Sequence, residues 1–86
     1  MLLEDQGVID KLNATITSGR IKRVRSEYGR VDHLARGGLG IGVLYLECRE
    51  WVYVHSVSRE VFQAGDAACA VCVRNLLHLL KEEAGR

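Results

Sequence analysis

Residues 41–57, IGVLYLECREWVYVHSV, decide more about the fold than any other stretch of this chain. Two runs rich in β-branched, leucine and aromatic residues flank Cys48-Arg49-Glu50, which reads as a β-hairpin. A turn at Arg49 and Glu50 puts Leu44, Leu46, Cys48, Trp51, Tyr53 and His55 on one face. Ile41, Val43, Tyr45, Val52 and Val54 then share the other. Both faces are mostly apolar. A strand pair with one wetted side alternates apolar with polar residues, so this hairpin is expected mid-sheet with both sides covered. Flanking helices can cover one side. The other side asks for a partner, most simply a second copy of the chain.

At 86 residues, the chain is read as a single domain spanning residues 1–86. Domains of this size bury only about 60–65% of the surface that their unfolded chains expose, so a lone subunit has little stability to spare. Hydrophobic residues make up 48% and charged residues 27%, a balance that argues against intrinsic disorder. A formal net charge of +1 provides no global attraction to nucleic acid, anionic membrane or acidic substrates. No apolar run reaches the length that spans a bilayer, and MLLEDQ is acidic where a secretion signal is basic, so a cytoplasmic protein without membrane contact is expected. Cys48, Cys69 and Cys72 cannot all pair within one chain, which also suits a reducing compartment.

Along the chain, Val8, Ile9, Leu12 and Ile16 recur at helical spacing, which predicts a helix from Leu3 to Ser18 with Gly19 as its left-handed terminator. Arg20 to Tyr28 is β-leaning and poorly alternating, as expected of an edge strand whose Lys and Arg discourage unwanted pairing. Arg30 to Gly40 is either a short extra strand or a glycine-rich connection. Past the hairpin, Ser58 can cap a helix running to about Glu83, with Gly65-Asp66 a possible interruption at which Asp66 recaps. Phe62, Cys69, Cys72, Leu76 and Leu79 form its apolar stripe, widened by Val73, Leu77 and Leu80. The expected architecture is α+β: an antiparallel sheet of three to four strands with an N-terminal and a longer C-terminal helix, in the order α-β-β-β-α.

The densest charge feature is residues 20–36, RIKRVRSEYGRVDHLAR, with six basic residues against Glu27 and Asp32. Arg20, Lys22, Arg23, Arg25, Arg30 and Arg36 could follow a phosphate backbone without reading sequence. The competing reading is a solvated edge strand. Gly37-Gly38-Leu39-Gly40 invites comparison with phosphate-binding loops, but such loops deliver phosphate to a helix N-terminus and these glycines run into a strand.

Cys69-Ala70-Val71-Cys72 has the CxxC spacing, yet both sulfurs continue the helix's apolar stripe, and buried cysteine commonly packs as a small hydrophobe. Core packing is therefore the first expectation, with neither metal nor cofactor expected. A zinc reading would join Cys48, Cys69 and Cys72 to one of His33, His55 or His78, making a Cys₃His set. Only one closely spaced ligand pair supports it. A catalytic deaminase-type zinc site would need HxE and a Pro before CxxC, and neither is present. No order or spacing of Ser, Cys, His and carboxylates forms a nucleophilic triad.

The functional expectation is a small non-enzymatic, oligomeric binding or accessory protein, a homodimer first, that contacts nucleic acid through the basic stretch. A first alternative is a small-ligand or protein-partner module with its site at the subunit interface around Tyr45, Trp51, Tyr53 and His55, since aromatic residues are enriched at interfaces. A second is a thiol or zinc site at the cysteines.

Overall fold

The computed structural model describes residues 1–25, 31–38, 43–48, 51–53, 56–58 and 60–85. Its first helix, α1, runs from Gln6 to Thr17. Asp5 is the N-cap: its Oδ1 accepts from the N–H of Gly7 at 2.8 Å and of Val8 at 3.2 Å, satisfying two donors that the helix cannot. At the other end Gly19 has φ 79°. The Gly19 N–H donates to Ile16 O at 3.0 Å and the Arg20 N–H to Thr15 O at 3.2 Å, the pair of bonds that defines a Schellman terminator.

The strands are β1 (Lys22–Arg25), β2 (His33–Gly38), β3 (Val43–Leu46), β4 (Trp51–Tyr53) and β5 (Ser56–Ser58). They form an antiparallel sheet in the order β4-β3-β2-β1-β5. The α+β class, the two helices and the longer C-terminal helix are as the sequence led one to expect. β1 is not an edge strand: β5 pairs along its second side, Val24 opposite Val57. Alternation alone could not reveal a strand contributed from 30 residues downstream.

The hairpin forms, but Val43 pairs with Tyr53, Leu44 with Val52 and Tyr45 with Trp51. That register is three residues away from the one a two-residue turn at Arg49-Glu50 imposes, and a slip by an odd number exchanges which positions share a face. The outer-face surface expected to mediate dimerisation depends on side chains of Tyr45, Trp51 and Tyr53 and on His55, which lie outside the described residues.

The order of strands also sets the sheet's shape. Tyr53 ends β4 and Ser56 begins β5, and three residues reach at most about 11 Å. Four strand spacings in a flat sheet cover about 19 Å. The sheet is therefore curled, its two outermost strands brought within reach of one short connection.

The second helix, α2, runs from Ala70 to Ala84 with Cys69 as N-cap. It starts well after Ser58, the expected cap, and for a physical reason. Ser58 Oγ accepts instead from the Glu60 N–H at 3.0 Å. Asn13 of α1 holds both backbone groups of Phe62, its Nδ2 donating to Phe62 O at 2.9 Å and its Oδ1 accepting the Phe62 N–H at 2.7 Å. Gly65 then turns with φ 93°, and Asp66 accepts from the Gln63 N–H at 2.8 Å rather than recapping a helix.

The residues leading into α2 are clasped by the chain's start. Leu2 bridges Ala67, while the Leu3 N–H donates to Asp66 O at 2.9 Å and the Ala68 N–H to Met1 O at 2.9 Å. Leu3, Ile9, Leu12 and Ile16 meet Val24, Leu34 and Ala35 of the sheet, Phe62, and Cys72, Val73 and Leu76 of α2 in one buried cluster. Among the described residues, no helix is long and apolar enough to cross a membrane.

Candidate metal centre

Four side chains that are scattered in sequence converge where the sheet meets the start of α2. His33 opens β2, Cys48 follows β3, Cys69 is the N-cap of α2 and Cys72 lies in its first turn. Their ligand atoms all lie within 4.8 Å of one another. His33 Nδ1 is 3.6 Å from Cys72 Sγ and 3.8 Å from Cys48 Sγ. Cys72 is buried, and the other three are half-buried.

Backbone bonds on the residues beside each ligand hold the cluster in place. Asp32, which precedes His33, accepts the Cys69 N–H at its carbonyl, 2.9 Å away. Glu47, which precedes Cys48, donates its N–H to Leu34 O at 2.8 Å. The Glu47 carbonyl in turn accepts from Asn75 Nδ2 at 2.7 Å, one turn beyond Cys72 on α2. Strand β2, the end of β3 and the head of α2 are thus tied to each other within three residues of every ligand. Supports of this kind keep ligands aimed before a metal arrives.

No acidic residue occupies the first turn of α2, and the Cys69 side chain makes no capping hydrogen bond. Thiolate charge there meets the unsatisfied N–H groups and the positive end of the helix dipole. Without a cation, burial pushes the Cys72 thiol well up, and the neighbouring Cys48 and Cys69 sulfurs add to the rise. A divalent cation reverses that preference by supplying the missing positive charge, with protons released as it binds.

Among the three histidines named from sequence, the structure selects His33. His78 lies mid-way along α2, six residues beyond Cys72, and faces Glu82, Nε2 to Oε1 3.0 Å, while His55 lies outside the described residues. Cys72 belongs to the buried core, and Cys48 and Cys69 pack against it. The convergence on His33 carries no signal in spacing, because it is made by strand pairing and not by proximity in sequence.

The basic stretch is differently disposed. Arg20 forms a two-pronged pair with Glu83, Nη1 to Oε2 2.6 Å. Arg23 and Arg25 both grip the buried Asp32, Arg25 Nε at 2.8 Å from Oδ1. Arg23 also stacks over Phe62 at 4.1 Å and donates to Val61 O at 3.2 Å. Arg36 pairs with the buried Glu47. Arg20, Arg23, Arg25 and Arg36 are therefore engaged by carboxylates of the same chain, Lys22 is exposed, and Arg30 lies outside the described residues. Sequence reasoning missed the roles of Asp32, Glu47 and Glu83, since no local pattern announces a partner seven to sixty-three residues away. No protein-family model, no curated protein and no solved structure matches this chain.

Proposed function

We propose that this chain is a small non-enzymatic accessory protein whose fold is completed by one zinc ion held by His33 Nδ1 and the sulfurs of Cys48, Cys69 and Cys72. The observation that carries the reading is the mutual approach of four ligand atoms within 4.8 Å. Zinc bonds of about 2.3 Å to sulfur and about 2.0–2.1 Å to nitrogen give tetrahedral edges of about 3.6 Å between sulfur and nitrogen and about 3.8 Å between sulfurs. The nitrogen-to-sulfur separations of 3.6 and 3.8 Å match those edges. An iron–sulfur cluster would need its ligands spread around more than one metal atom, and oxygen-preferring cations are poorly served by three thiolates.

Four protein donors fill a tetrahedron and leave no position for a substrate or activated water, which distinguishes a structural centre from a catalytic one. The ion joins β2, β3 and α2 at a point where an 86-residue chain has limited core to rely on. Nucleic-acid contact through the basic stretch has less support, because most of its described arginines are already neutralised.

Metal analysis of untagged protein purified without chelator tests the reading, with about one equivalent of zinc expected. Replacement by Co²⁺ should produce the visible absorption of a tetrahedral thiolate site, and Cys48→Ser should weaken or abolish it. Metal well below one equivalent in protein that also rejects Co²⁺ would refute it.

A further inference from the structure

The three sulfurs of the centre are not equivalent, and their differences bear on what happens when the site meets an oxidant. Cys72 is buried and Cys48 half-buried, and their sulfurs lie within 4.8 Å of each other. Both also bear on the same ring nitrogen of His33, at 3.6 and 3.8 Å. Cys69 is held on both sides of its backbone, its N–H by Asp32 O at 2.9 Å and its carbonyl by the Val73 N–H at 3.0 Å.

We propose that Cys48 and Cys72 are an oxidation site: a hydroperoxide converts them to a disulfide that expels the zinc ion and takes over its role of joining β3 to α2. This rests on the zinc reading of the same four residues. A half-buried sulfur beside a buried one gives the oxidant a reachable point of entry and the product a sheltered resolving partner. Sulfurs within 4.8 Å need to close by less than about 3 Å to reach the bonding distance of about 2.05 Å.

In the first step the Cys48 thiolate attacks one oxygen of hydrogen peroxide, the O–O bond breaks, and hydroxide leaves, so that Cys48 becomes a sulfenic acid. In the second the Cys72 thiolate attacks that sulfur, the S–O bond breaks, a second hydroxide leaves and the S–S bond forms. The two sulfurs together give up two electrons, and the peroxide takes them up as two hydroxides. With an alkyl hydroperoxide the first leaving group is an alkoxide. Cys69 and His33 are then the only donors of the set still available, two where structural zinc takes four, and the ion departs to water. A dithiol reductant returns both thiolates and restores the site.

The test uses the full zinc-loaded chain and one equivalent of hydrogen peroxide, with released zinc read by a colorimetric chelator and cross-links mapped by proteolysis and mass spectrometry without reduction. The expected result is release of about one equivalent of zinc, loss of two titratable thiols, a Cys48–Cys72 cross-link, and renewed zinc uptake after reduction. A Cys69–Cys72 cross-link, oxidation without zinc release, or zinc release without any cross-link would overturn the proposal while leaving the zinc reading intact. A chain that binds neither zinc nor Co²⁺ before peroxide is added overturns both. Cys69→Ala, which keeps the Cys48–Cys72 pair, provides a second check: its metal-free form should still yield the cross-link with peroxide, and failure to do so counts against the pairing.

Discussion

Asp32 is the residue on which most of the centre's support depends. Its carboxylate holds Arg23 and Arg25, its carbonyl holds the N-cap of α2, and its neighbour is His33. Only 6% of its surface is exposed, so Asp32→Asn leaves two guanidinium groups facing a neutral amide. Arg25 is half exposed and Arg23 keeps Asp66 within 3.6 Å, so the expected cost is about 1.5–3 kcal/mol in denaturant unfolding. Zinc affinity is expected to fall by roughly 10–100-fold, the usual effect of losing an outer support. Competition against a chromophoric chelator measures the second quantity.

Cys72 makes a separate prediction for metal-free protein. Its folded-state thiol lies well above the ordinary value because of burial, so the folded state holds its proton where the unfolded chain releases it. The stabilisation is complete below the unfolded thiol value of about 8.5, and it is lost as pH rises above that at about 1.4 kcal/mol per pH unit. Urea midpoints of metal-free protein should therefore drop between pH 8 and 10. Zinc-loaded protein, whose sulfurs are already thiolates, should not show that drop.

At the level of elements, what could be read from sequence was whatever local geometry decides. The α1 stripe of Ile9, Leu12 and Ile16 and the Gly19 terminator are both present in the fold, because helical spacing and a positive φ are properties of neighbouring residues. The start of α2 was not legible. Ser58 is a sound cap by residue type, but two hydrogen bonds with Asn13, 49 positions away from Phe62, hold that segment out of a helix and win against local preference. Likewise three cysteines and three histidines were visible as possible ligands, while the choice of His33 required the sheet. Asn13→Ala should thus act at a distance. It leaves the Phe62 N–H and carbonyl unpaired at a part-buried position, a cost of about 1–3 kcal/mol. The fluorescence of Trp51 or far-ultraviolet circular dichroism in a urea titration would register it, and an unchanged midpoint would mean that the segment is held by Phe62 packing alone.

For the molecule as a whole, the proposed zinc site makes stability depend on the free concentration of the ion. Free zinc at a hundred times its Kd adds about 2.7 kcal/mol. For a chain of this length that is worth roughly 11–22 °C in Tm. A chelator should lower the melting temperature by that order, and re-addition of zinc should restore it. The same titration on Cys48→Ser should show little or no response.

The curl of the sheet has a kinetic corollary. Since one short stretch of backbone supplies the outermost strand at each rim, peeling either rim away drags on the other, so neither can fray alone. Amide hydrogens in the β1–β5 and β3–β4 ladders should accordingly exchange with solvent in a single cooperative opening with a shared free energy, rather than in the graded outside-to-inside order of an open sheet.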